Sequence, residues 1–180
     1  MTTGGHGGKC PVMAALTAAE LRFREAQAED MPRLQAIRRA AFAPVFASFR
    51  SLLGEEIYEI AQRRDDDAQE GLLASLLDSD PVWQLYVTES AGEIVGFVSL
   101  QLDQEKLVGE IGLNAVDPTH AGKGIGTAMY DFAVERLKQA GMKVATVGTG
   151  GDPSHAPARR AYEKAGFDRA VPSVWMYRKL

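Results

Sequence analysis

The chain has 180 residues, 46% of them hydrophobic and 24% charged, enough apolar content for one globular domain with its own core. Twenty basic residues against 24 acidic ones leave a formal charge of −4, which argues against general nucleic-acid affinity, and the single cysteine, Cys10, excludes an intrachain disulfide framework or a cysteine-based metal cluster. No apolar run approaches the roughly 18 residues of a membrane span and the stretch up to Glu20 lacks the apolar core of a secretion signal, so a cytoplasmic setting without membrane contact is expected.

Residues 1–18 read as a flexible N-terminal segment and 19–180 as one domain. In "LRFREAQ", Leu21 and Phe23 alternate with Arg22 and Arg24 as in a strand. Asp30 then suits the cap of a helix with Leu34, Ile37, Ala41 and Phe42 on one face. From Pro44 to Asp80 the chain is helix-rich and less regular, with two short helices expected to part near the Asp65–Asp67 run. "VWQLYVTE", "EIVGFVSLQL" and "KLVGEIGLNAV" read as an antiparallel meander, the first two strands joined by a turn at Ser90–Gly92. Ile125, Met129, Phe132 and Leu137 form a helical stripe that stops at Gly141, and "KVATVGTG" returns as a strand. A helix over "PARRAYEKAG", stopped by Gly166, and a strand over "SVWMYRKL" complete the reading.

The stretch "HAGKGIGTAM" places Gly122, Gly124 and Gly126 immediately before the helical stripe. Glycines let a ligand approach the backbone, and the free N–H groups of a helix N-terminus face negative charge, so this is a candidate anion site. The spacing G-x-G-x-G is one residue short of the dinucleotide fingerprint, and Lys123 lies among the glycines instead of after them, unlike a Walker loop. Both nucleotide motifs are therefore disfavoured, leaving a pyrophosphate cradle of another type.

"VDPTHAGKGIGTAMYDFAVERLKQAG", followed about thirty residues later by "ARRAYEKAGF", resembles the acyl-CoA-binding motif and terminal motif of the GNAT N-acetyltransferase superfamily. The resemblance runs from Leu85 to Phe167, and the opening strand and helix agree with it in order. It implies an α/β (α+β) GNAT fold: a mixed, mostly antiparallel sheet flanked by helices. It also implies acetyl-CoA as cosubstrate, an amine of a small molecule or protein as acceptor, and no metal. In that family the loop pattern is Arg or Gln, two free positions, Gly, one free, then Gly or Ala. These fall on Ala121, Gly124 and Gly126, so the customary Arg or Gln is replaced by Ala121 while the backbone donors remain.

By the same resemblance, the backbone of Ala121, Gly122, Lys123, Gly124, Ile125, Gly126 and Thr127 would hold the pyrophosphate of coenzyme A. Asn114, Ala115 and Val116 would pair with its pantetheine arm like an added strand. His155 stands where the family commonly has asparagine, and Arg159 lies near the same end. Lys123 can supply charge to a phosphate or be a solvated loop lysine.

Acyl transfer requires the attacking ammonium to lose a proton and a thiolate, of intrinsic pKa near ~8.5, to leave. Tyr162 matches the family tyrosine that protonates the departing sulfur; taken without the motif, it is an aromatic packing residue at helical spacing. Glu110 is the first candidate base, on a strand whose alternation puts it on one face with Asn114, opposite Leu107, Ile111 and Leu113. A solvent-facing glutamate is the plain alternative, and His120 and His155 are other candidate bases. The acidic residues Glu55, Glu56, Glu59 and Asp65–Asp67 could attract a cationic amine, but such runs are usually solvated helix faces. After Phe167 the remaining segment is shorter than the family's usual two-strand hairpin, so the acceptor wall is either abbreviated or completed by a partner copy in a homodimer. A non-catalytic acyl-CoA-binding sensor and a nucleotide-binding loop protein are the alternatives to an enzyme.

Overall fold

The computed structural model describes residues 21–77 and 82–180; the expected N-terminal segment 1–18 lies outside them. Five strands form one sheet in the order β1 (Leu21–Glu25), β2 (Trp83–Ser90), β3 (Glu93–Asp103), β4 (Val108–Val116) and β5 (Val144–Val147). The first four pair antiparallel and β5 joins β4 in parallel, the mixed arrangement expected. The β2–β3 hairpin turns at Ala91 and Gly92, both at positive φ (51° and 84°), the left-handed pair that a tight hairpin demands.

Helices cover both faces. α1 (Met31–Leu53) and α3 (Arg63–Ser75), linked through α2 (Glu55–Ala61), lie on one side, where Leu34, Ile37 and Leu73 pack with Leu85, Val87, Phe97 and Ala115. On the other side α4 (Ile125–Gln139) and α5 (Ala156–Lys164) bring Met129, Tyr130, Ala133, Leu137 and Tyr162 onto Val98, Leu100 and Ile111. Among the described residues no helix is long and apolar enough to cross a membrane.

Four expectations change. α1 runs through Pro44 without a break. The helices α2 and α3 part at Gln62, and the aspartate run opens α3, where acidic groups complement the helix dipole. Within that run Asp66 is buried, accepting hydrogen bonds from the Tyr58 hydroxyl (2.8 Å) and Gln62 Nε2 (2.9 Å), so it is a packing anchor and not part of a solvated face. Finally, no strand forms over Ser173–Leu180: residues 167–180 have no regular secondary structure and are exposed beyond Phe167. A strand requires a neighbouring edge to satisfy its backbone, and among the described residues this segment runs along none. Its end reaches α2 instead, where Lys179 Nζ meets Glu56 Oε2 at 2.7 Å.

Candidate active site

The site begins where β4 and β5 part. Their pairing runs from Val108↔Val144 to Ile111↔Val147, yet β4 continues to Val116. Gly112 to Val116 therefore lack a β5 neighbour, and their backbone groups on that side face an open seam.

Beyond β4, Asp117 makes the entrance to the glycine loop rigid. Its carboxylate accepts from Thr119 N (2.8 Å), Thr119 Oγ1 (2.7 Å) and Arg33 Nη2 (2.6 Å). Burial alone would raise its pKa, but these hydrogen bonds and the Arg33 charge bring it down to about 2. Gly122 and Gly124 then adopt φ of 77° and 81°, a region L side chains rarely occupy, and Gly124 is the N-cap of α4. The first helical bond runs from Ala128 N to Gly124 O (3.1 Å), so the amides of Ile125, Gly126 and Thr127 have no intrahelical acceptor. Gly122 and Gly124 are exposed, and a Cβ built on either would meet nothing within 4 Å. This cradle of free donors beside an unpaired strand fits an elongated anionic ligand with amide groups along its arm. Ala121 is exposed and Lys123 half-buried at its rim.

Behind the seam lies a polar triad, two buried tyrosines about the half-buried Asn114, that the sequence pattern left incomplete. The Tyr130 hydroxyl of α4 donates to Asn114 Oδ1 at 2.8 Å, while Asn114 Nδ2 donates to the Tyr162 hydroxyl oxygen at 3.1 Å. The reverse contact, Tyr162 donating to Oδ1, is stretched to 3.4 Å at an oxygen Tyr130 already occupies. The Tyr162 proton is thus the more weakly held of the two. Burial, and then Tyr162 beside it, push the Tyr130 pKa well above the ordinary tyrosine value, so Tyr130 remains a donor. The two rings lie 4.4 Å apart, and Phe167 caps Tyr162 edge-on at 5.9 Å. Tyr130 carried a signal of its own: a tyrosine at a buried position of an apolar helical stripe needs a partner for its hydroxyl.

Glu110 is elsewhere. Between Val98↔Asn114 and Leu100↔Ile111 the register shifts, giving β4 one residue more than β3. This bulge overturns the expected alternation. Asn114 shares the α4–α5 face with Ile111, whereas Glu110 points to the opposite face and is exposed, and Leu113 packs with the α1–α3 core. There Glu110 lines a cleft of about 300 Å³ with Gln101, Asp103, Lys106, Val108 and Thr146. The paired position of Glu110 is Thr146, one step before β4 and β5 separate.

His155 lies at the turn before α5. Its Nδ1 is 2.5 Å from Asp152 Oδ1, its ring stacks on Phe49 of α1 (5.9 Å), and Asp152 also accepts from Ser48 (2.8 Å) and Ser154. Burial pushes the Asp152 pKa up, but hydrogen bonds from Ser154, Ser48 and His155 outweigh it and hold the carboxyl below its ordinary range. Arg159 donates to the carbonyls of Gly150 and Asp152 (2.8 Å), spending its guanidinium on this turn. His120 stands at the loop edge, its Nδ1 3.0 Å from Thr119 Oγ1.

A family model described as the acetyltransferase (GNAT) family matches residues 46–167. The chain belongs to this GNAT family. Among curated GNAT relatives, the mycothiol acetyltransferase of Sanguibacter keddieii is 36% identical over 97 residues, 51% of this chain and 30% of that protein. The S-(2-succino)cysteine N-acetyltransferase of Bacillus subtilis is 31% identical over 90 residues, 47% of this chain and 54% of that one. The chain thus spans only about a third to a half of the length of these relatives. Among solved structures, the ribosomal-protein-S18-alanine N-acetyltransferase of Escherichia coli superposes with a TM-score of 0.61 at 18% identity, covering 84% of this chain and 79% of that one. The PaiA N-acetyltransferase of Thermoplasma acidophilum, solved with coenzyme A, gives 0.60 at 18% identity over 82% and 89%. At such identities the likeness speaks for the GNAT fold alone.

Proposed function

We propose that the chain transfers an acetyl group from acetyl-CoA to a primary amine of a small molecule or protein in the cytoplasm. The observation that carries this reading is the open seam of β4 beside the free amides of α4, with the weakly held Tyr162 hydroxyl behind it. Acetyl-CoA supplies a thioester whose carbonyl carbon is open to attack by an amine. The backbone of Gly122–Thr127 would hold the pyrophosphate, with Ala121 at its edge donating its own amide to the Pro118 carbonyl (3.1 Å) and Lys123 adding a cation, and the unpaired edge of Asn114–Val116 would pair with the pantetheine arm. His155 would stand beside that arm, and Arg159 would keep its turn in place.

Glu110 accepts the proton of the incoming ammonium at Oε, directly or through water, from the α1–α3 face. Tyr162 gives its hydroxyl proton to the departing sulfur from the α4–α5 face. Asn114 would position that hydroxyl by donating to its oxygen from Nδ2, and Tyr130 would fix Asn114 through Oδ1. A pair of copies is part of the reading, because among the described residues β5 has no strand on its outer edge.

Acetyl-CoA should raise the melting temperature, by the equivalent of about 2.7 kcal/mol at a hundredfold excess over Kd, and ATP should not. Gly124→Val strains a residue at φ 81° and obstructs the cradle, so each protein is compared with its own ligand-free form. The expected result is a melting temperature indifferent to acetyl-CoA; a shift equal to the parent's overturns the cradle. Thiol release across an amine panel separates the enzyme from a sensor that binds without turnover.

A further inference from the structure

A second polar cluster follows β5, and its centre has no part in the proposed transfer. The Asp152 side chain is only 10% exposed, and no lysine or arginine pairs with its carboxylate among the described residues. A buried carboxylate is costly unless donors surround it. Here Oδ2 accepts from Ser48 Oγ (2.8 Å), Ser154 N (3.0 Å) and Ser154 Oγ, and Oδ1 meets His155 Nδ1 at 2.5 Å. The backbone of the turn has a separate tie in Arg159, whose guanidinium takes the Gly150 and Asp152 carbonyls. Gly150 leaves the space that the pair occupies, since a Cβ there would run into the His155 ring and Asp152 Oδ1.

The charge of Asp152 decides where the imidazole hydrogen sits. Burial raises the pKa of its carboxyl, but the bonds from Ser154, Ser48 and His155 hold it below the ordinary range, so both oxygens only accept. Ser154 Oγ, 3.3 Å from Nδ1, has its hydrogen on Oδ2. In the neutral ring Nδ1 therefore carries the hydrogen, and Nε2, which has no hydrogen-bond partner among the described residues, carries the lone pair. The two oxygens also serve different layers. Ser48 and Phe49, the residue stacked on His155, belong to α1, whereas His155 leads into α5 on the other side of the sheet.

On the reading that the pantetheine arm of acetyl-CoA lies beside His155, we propose that Asp152 is a positioning residue for both substrates. Through Oδ1 it holds the His155 ring with Nε2 ready to accept from an amide N–H of the arm. Through Oδ2 and Ser48 it makes α1 firm once the arm is in place. In the proposed mechanism the amine arrives from the α1–α3 face, so the layer that receives it would be ordered by the bound cofactor. Without Ser48 the arm would still be held, and α1 would no longer register it.

At about pH 8, where an ordinary imidazole is neutral, long-range proton–nitrogen spectra of the full chain should show His155 in the Nδ1–H form, its signals identified by their loss in His155→Gln. Saturating acetyl-CoA should move the Nε2 resonance upfield, as for a nitrogen that accepts a hydrogen bond. Asp152→Ala should lose the fixed tautomer and bind acetyl-CoA about tenfold more weakly, the loss expected for one well-made hydrogen bond. Amide exchange over residues 46–53 should slow about fivefold or more with acetyl-CoA in the parent and stay unchanged in Ser48→Ala, which also serves should Asp152→Ala fail to fold. An Nε2–H form in the parent, parental affinity in a folded Asp152→Ala, or equal slowing in Ser48→Ala overturns the proposal. A purely structural Asp152 would lower stability with and without ligand alike and would move none of these readouts. A parent whose melting temperature ignores acetyl-CoA overturns the cofactor reading and this proposal with it, a result told apart from the others by needing no variant.

Discussion

Asn114 and Glu110 lie four residues apart on β4 and could hardly be placed more differently. Asn114 is held from two helices at 2.8 and 3.1 Å behind the sheet, in a packed layer of aromatic rings. Glu110 is exposed, on the other face, at the rim of a cleft. A proton donor must be fixed where the leaving atom will be, so its surroundings are rigid and dry. A proton acceptor for a solvated ammonium needs access to water and to the incoming amine, and rigidity would hinder it. In the proposed mechanism one strand would serve both needs by presenting opposite faces to its two neighbouring layers.

The largest expected effect breaks the buried side. Tyr162→Phe keeps the ring that packs against Tyr130 and Phe167, and should lower kcat by on the order of 10²-fold, about 2.7 kcal/mol, with KM for acetyl-CoA nearly unchanged. Steady-state rates with the cognate amine, under conditions where chemistry limits turnover, measure this; parental rates would make Tyr162 a packing residue.

Asn114→Ala should cost roughly tenfold in kcat and also about 1–3 kcal/mol in stability, because it leaves the buried Tyr130 hydroxyl without its acceptor. Denaturant titration and kinetics together would separate the two losses. A variant that loses stability but keeps its rate would leave Asn114 as a structural tie only.

On the exposed side the signature is a pH profile. Glu110→Gln should leave stability within about 0.5 kcal/mol, as for an exposed position, and should slow turnover most below the pKa of the acceptor amine. The defect should shrink as pH rises and the amine arrives already neutral. A deficit of constant size across pH would remove Glu110 as base and turn attention to His155.

The smallest effect concerns the approach to the cradle. Asp117 has its pKa depressed from 3.8 to about 2, so its contribution is complete above about pH 4 and lost as pH falls through 2. Asp117→Asn should cost about 1 kcal/mol at neutral pH, and the melting temperatures of parent and variant should converge near pH 2. Parallel curves throughout would show that the carboxylate charge has no part in holding the turn.

The contrast between the two faces of β4 also marks what could be read from the chain. Gly124, Gly141 and Gly166 announce themselves because a left-handed residue at a helix boundary is a local demand. The stripe of Ile125, Met129 and Leu137 needs no more than its spacing, and all three are buried. Glu110 lies opposite Ile111 as expected, but the faces of Asn114 and Leu113 are not legible, because alternation assumes an unbroken strand and the extra residue of β4 is defined only against β3. Gly112 hints at it: a Cβ there would fall 2.2 Å from the Trp83 ring, a constraint set by a distant side chain. Asp66 was misread for the same reason, its partner Tyr58 lying on the preceding helix. The strand expected over Ser173–Leu180 does not form: its residues favour β structure, but a strand also needs an edge to lie against, and local preference does not say which one it would meet.

The bulge itself acts as a change of phase. Upstream of it, residues 109 and 111 face α4 and α5; downstream, 114 and 116 do, so parity reverses within two residues. Removing one residue between Ile111 and Asn114 would leave every side chain in the chain except one, yet it would send the asparagine to the α1–α3 layer and leave Tyr130 and Tyr162 facing an alanine. Chemistry at this site is therefore encoded in residue count as much as in residue identity, and a comparison of relatives that tolerates a gap here would align the right letters on the wrong face of the sheet.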